Sequence, residues 1–216
     1  MDISCIVDRL NITQHPYTRI NEFLNGILTR ITAPIQDGGL GYDMALFFWH
    51  QPVRTGRLNT DVFAYYTGRA QICSRGGIES AEESNTKRRL DEVLGGLYVT
   101  ASESQSIKDI MGYLKIGLSP EEETYMLRPQ DPVLSLIGEK VQLDGLEGAV
   151  VPFGDEHPPY GIVIVVSYSG GNGVRGNLGS LVGLLYKAQS IMPHFRDRKE
   201  IPPEILEPIF QPLGVS

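Results

Sequence analysis

The sequence predicts an α+β domain, a central antiparallel sheet with helices on its faces, and three observations carry that expectation. Ile20, Phe23, Leu24, Ile27, Leu28 and Ile31 recur at helical spacing, as in a helix that lays one apolar stripe on a core. Two runs rich in large apolar residues, 42–49 and 61–72, are joined by the short turn-like stretch 54–59, which predicts an antiparallel hairpin. Far downstream, Ile162-Val163-Ile164-Val165-Val166 shows no polar alternation, as in a strand covered on both faces.

The first helix opens at His15-Pro16 and ends before Pro34 and Gly38-Gly39, with Arg19, Asn21, Glu22, Asn25 and Arg30 expected on its solvent face. After the hairpin, Gly76-Gly77 breaks the pattern and helices follow. Leu90, Val93, Leu94 and Leu97 form one stripe, and Ile107, Ile110, Met111 and Leu114 another. Ser119-Pro120-Glu121-Glu122 reads as a helix start, because a serine cap, a proline at the first helical position and a glutamate reaching back form a capping box. Asp131-Pro132 opens a further short helix through Ile137 by the same logic. Strands are then expected at 148–153 and 161–169. The glycine-rich turn 170–177 leads into a helix carrying Leu178, Leu181, Val182, Leu185 and Met192, with Pro193 as its stop. The proline-rich tail, 193–216, reads as a short helix strapped onto the body or onto a partner. No repeat or linker interrupts the order, so residues 1–216 are expected to form one domain.

Composition narrows the function classes. A chain of 216 residues buries a core without cross-links, and 41% hydrophobic with 21% charged residues is globular rather than disordered. A formal charge of −7 repels nucleic acid and anionic membrane surfaces. The two cysteines, Cys5 and Cys73, are too few for a disulfide framework or a four-cysteine zinc site, and a free-thiol cytoplasmic protein is expected. No secretory signal is expected at Met1–Cys5, and no apolar run approaches the length of a membrane span.

Several motifs invite chemistry. Residues 171–176 match G-x-G-x-x-G between a strand and a helix, the arrangement that sets a phosphate on a helix N-terminus. Only 40 residues follow Gly176, too few to complete a dinucleotide fold, so a tight turn needing positive φ is the simpler reading, with Arg175 placed to meet an anion. Ser169, flanked by Ser167 and Gly171, fits the steric demand of a nucleophile elbow. Its would-be partners His194 and Asp197 come in the wrong order for that fold. His15, His50, His157 and His194 form no ligand-spaced set, so no metal site is expected; His50, after Trp49 at a strand end, is placed to line a pocket. The paired acids Glu82-Glu83 and 121–123 suit helix starts, and Lys87-Arg88-Arg89 reads as a solvated face.

The C-terminal third resembles GAF and related profilin-like sensor domains. The segments 149–153 and 160–165 and the helix 178–192 are similar to that family's closing strand, strand and helix, and 166–170 partly resembles the glycine-rich end of a heme-binding profilin-like group. The element order from the first helix to the last also fits. The resemblance implies a small-molecule binding or sensory module acting without covalent chemistry, working as a homodimer through its N- and C-terminal helices. It names no cofactor. The ligand is expected in a concave space between the aromatic hairpin and the helical middle, with Trp49, Tyr65, Arg69, Cys73, Ser169 and Arg175 near it. The alternatives are a hydrolase using Ser169 and the turn 170–177, or an assembly component whose tail docks to a protein partner.

Overall fold

The computed structural model describes residues 16–52, 60–67, 80–119, 122–141, 145–154, 159, 161–168 and 173–196, together with Glu204, Leu206 and Ile209. The chain divides into two compact units, Met1–Gly41 with Asn177–Ser216, and Tyr42–Gly176.

In the first unit, α1 (Pro16–Thr32) packs against the last long helix, α6 (Leu178–Arg196). The predicted apolar stripe of α1 is the buried one, Phe23, Leu24, Ile27, Leu28 and Ile31. Arg30, expected on the solvent face, is instead buried at 7% exposure, because it lies on the same helix face as Phe23 and Ile27, seven and three residues before it. Past α1, a 3-10 turn (Ile35–Asp37) ends in Gly38 at φ 78°, and a Cβ on Gly39 would collide with the Ala33 carbonyl. The chain is thereby folded back so that Leu40 N–H donates to the Arg30 carbonyl at 3.1 Å. Asn177, just before α6, donates through Nδ2 to the Leu40 carbonyl at 2.8 Å. Pro193 does not stop α6, which continues to Arg196. A proline removes one intrahelical donor and crowds the carbonyl four residues back, which weakens a helix at that point without obliging it to end. In the tail, Leu206 and Ile209 are buried and three residues apart, as on one helical face.

The second unit is built on a sheet whose five described strands run in the order β2-β1-β5-β4-β3, every described pairing antiparallel. The strands are β1 (Met44–Pro52), β2 (Thr60–Thr67), β3 (Tyr125–Leu127), β4 (Leu146–Phe153) and β5 (Gly161–Tyr168). The expected hairpin forms, and β1 pairs on its other side with β5, so the aromatic strands near the front and the aliphatic strands near the back share one sheet. The apolar run Ile162–Val166 is fully buried, as its lack of alternation predicts.

Between β2 and β3 lie α2 (Ser80–Glu103) and α3 (Ile107–Tyr113), and α4 (Pro132–Val141) precedes β4. These helices pack on the sheet, α2 against β2, α3 against β1 and α4 against β4. Leu90, Leu94 and Leu97 of α2, Ile107 and Ile110 of α3, and Val133 and Ile137 of α4 join Leu46, Phe48, Ile162 and Ile164 in one apolar core. Each such side chain contributes roughly 1.5–3 kcal/mol when fully buried. On the sheet's other face Phe47, Phe153, Val163 and Val165 are buried as well, and the Phe47 and Phe153 rings meet edge to face at 5.2 Å.

Among the described residues, the helix predicted to open at Ser119 is not found. Ser119 N–H does donate to Glu122 Oε2 at 2.9 Å, the reach-back bond of a capping box, yet Tyr125–Leu127 is a strand. The box is a local device; with no apolar 3.6-residue pattern behind it, the segment pairs with β4 instead.

Candidate functional site

Of the six residues expected around a ligand, Arg69, Cys73 and Ser169 lie outside the described residues. Trp49 is buried near the end of β1, opposite Gly161 on one side and Phe63 on the other. Tyr65 pairs with Phe47, so its backbone is the diagonal neighbour of Trp49 in the hairpin. Arg175 is exposed on the helical turn α5 (Gly173–Gly176). These residues do not converge. Trp49 is level with the first residue of β5 and α5 follows its last, a strand length of about 24 Å away.

The last residue of β5 and the helical turn α5 are each bonded by a residue that precedes β1. Asp43, buried, accepts from the Tyr168 backbone N–H at 2.8 Å. Tyr42 donates its buried hydroxyl to the Val174 carbonyl at 3.2 Å, and burial raises its pKa above the usual phenol value. Gly173 and Gly176 of the G-x-G-x-x-G match are helical, so the positive φ expected of that turn is not found at these two glycines. Tyr42 and Asp43 went unmarked in the sequence because they read as the opening of a strand; a lone acid ahead of an apolar run was the available signal.

At the opposite end of β1 stands His50. Strand alternation places it on the helix-bearing face with Leu46 and Phe48. Its Nε2 is buried without a hydrogen-bond partner among the described residues, and desolvation lowers its pKa below 6.5. The imidazole is therefore neutral at pH 7, with a ring nitrogen that the fold leaves open. On the sheet's other face, a Cβ on Gly161 would lie 3.1 Å from the Phe48 carbonyl and 3.3 Å from the Phe47 ring. Buried polar atoms are paired as a rule, so this nitrogen, without a partner among the described residues, is one of two groups that the core itself does not explain. The other is Arg30 Nε in the first unit, likewise buried and without a partner among the described residues.

No family model, curated protein or solved structure matches the chain. Among the described residues no group of three His, Cys, Asp or Glu side chains is placed to hold a metal ion, and no helix is long and apolar enough to cross a membrane. The site is therefore read from its own chemistry.

Proposed function

We propose that the chain is a small-molecule binding or sensory module of the GAF/profilin-like type, and that His50 is the polar anchor of its ligand at the end of β1. The observation that carries this reading is the buried Nε2 of His50, without a hydrogen-bond partner among the described residues. Ligand sites combine apolar and aromatic walls with a few placed polar groups, and Phe48 and the neutral imidazole of His50, two residues apart on one face of β1, supply that combination. A neutral ring nitrogen in an apolar setting suits a ligand with one hydrogen-bonding group on an otherwise apolar body. The sheet order supports the family reading, because first and last strands lie side by side with a helical middle between them.

Thermal shift of the full chain against a panel of metabolites, nucleotides and heme tests the reading. The expected result is a rise in Tm with one compound class, abolished in His50→Phe while the variant keeps its helical and strand signal. A shift retained in His50→Phe, or none with any compound, overturns it.

A further inference from the structure

The helix α2 has one face that the chain uses and one that it does not. Leu90, Leu94, Leu97 and Ala101 point inward and are buried. On the other side Arg88, Glu92, Gly95, Gly96, Val99 and Glu103 follow one another at helical spacing and are exposed. Tyr98 and Val99 leave 54% and 52% of their surface in water, a large apolar exposure in the last third of the helix. Gly95 and Gly96 sit beside them, and apart from the backbone of α2 itself no described atom comes within 4 Å of where their Cβ atoms would stand. Glycine is a poor helix former, and nothing in this chain's own packing asks for a pair of them here.

The charges along this face decide what fits it. Arg88 and Arg89 stand before the glycine pair and Glu103 after it, all exposed. An antiparallel copy of the same helix, centred between Gly95 and Gly96, sets Arg88 of each chain opposite Glu103 of the other. It brings Val99 over the aliphatic stem of Glu92 and lets the two backbones approach at the glycines. A parallel copy would oppose like charges at both ends. We propose that the chain forms a two-fold homodimer through antiparallel packing of α2 on α2 of a second copy. The contact is isologous, so each charge pair occurs twice. It lies on a different surface from the terminal helices that the family resemblance suggests, and it does not depend on the proposed ligand site.

Within one chain Arg88 and Glu103 are about 22 Å apart along the helix and cannot meet. That separation makes charge exchange a clean test. Sedimentation equilibrium of the full chain is expected to show a dimer, and Arg88→Glu and Glu103→Arg are each expected to raise its Kd about tenfold. The double variant Arg88→Glu/Glu103→Arg restores the pairing in trans and is expected to recover most of that loss. Val99→Asp, which leaves the buried stripe untouched, weakens the dimer without lowering the Tm of the monomer. A chain that is monomeric throughout the micromolar range, a dimer indifferent to both reversals, or single effects that add rather than cancel in the double variant would each overturn the proposal.

Discussion

The Asp43 carboxylate accepts a 2.8 Å hydrogen bond from the backbone N–H of Tyr168, across 125 residues of sequence. It stands one residue before β1, and Tyr168 is the last residue of β5. The acid therefore satisfies a donor at the point where β5 leaves the sheet and the chain turns toward α5. Sheet ends are where backbone groups lose their ladder partners, and a buried one left unpaired is costly. Removing the acceptor in Asp43→Ala strands that N–H in a partly buried setting, and the expected loss of stability is about 1 kcal/mol. Asp43→Asn keeps an oxygen in place and is expected to lose less. Urea denaturation of both variants, compared by midpoint at unchanged slope, checks the order.

Gly148 of β4 is expected to tolerate no side chain. A Cβ there would stand 2.7 Å from Leu127 Cδ1 and 3.1 Å from both Leu134 Cδ2 and the Val165 carbonyl oxygen. Leu127 belongs to β3 and Leu134 to α4, so the missing Cβ is what lets this helix and the short edge strand close over β4. Gly148→Ala overpacks that junction and is expected to cost about 1–3 kcal/mol, seen as a lower Tm with native-like circular dichroism. Gly112, with open space around its Cβ position in α3, is the control; Gly112→Ala is expected to stabilise, since alanine is the better helix former.

Much of this architecture was legible because it rests on periodicity. The α1 stripe, the hairpin and the unbroken aliphatic run each state their burial locally, and the structure follows them. The short strand β3 was not legible. Its three residues carry no period, and their pairing with β4 is fixed by a partner some twenty residues away, while the capping box beside them announced a helix. Arg30 misled for a related reason. Charge type assigned it to solvent, but a helix face is set by angle, and its angle puts it inside. The site was less legible still. The role of Asp43 exists only once Tyr168 is brought to it, and the open nitrogen of His50 is a property of packing that no residue type declares.

Arg30 is expected to be replaceable by an apolar residue of similar length. It is buried at 7% exposure, its Nε has no partner among the described residues, and burial lowers its pKa below the usual arginine value. A buried guanidinium with an unmet donor destabilises a fold, and exchange for a hydrophobic group of similar volume is often neutral or favourable. Arg30→Met is therefore expected to leave Tm unchanged or raise it. Arg30→Ala is expected to lower it, because the aliphatic stem that fills space on α1 is lost. Thermal melts of the two variants distinguish a packing role from an ionic one; a drop in both of equal size would mean the charge is being used.

The lowered pKa of His50 gives the protein an acid-side weakness with a definite sign. Burial favours the neutral imidazole in the folded chain, so its pKa lies below 6.5, whereas the unfolded chain titrates at the ordinary value. Between those two values the unfolded chain holds more protons, and stability there rises with pH. The contribution of His50 is complete above pH 6.5, declines as pH falls below it, and levels off once pH passes the lowered folded value. His50→Phe carries no such proton. The gap in urea midpoint between the natural chain and His50→Phe is expected to move in the variant's favour on going from about pH 7.5 to about pH 5, by the linkage relation. A ligand that donates a hydrogen bond to the neutral Nε2 holds the imidazole unprotonated, so its binding weakens over the same interval and its presence steepens the acid loss. A gap that stays constant across the interval would mean that His50 keeps its ordinary pKa in the folded chain, and with it that its ring nitrogen is open to water.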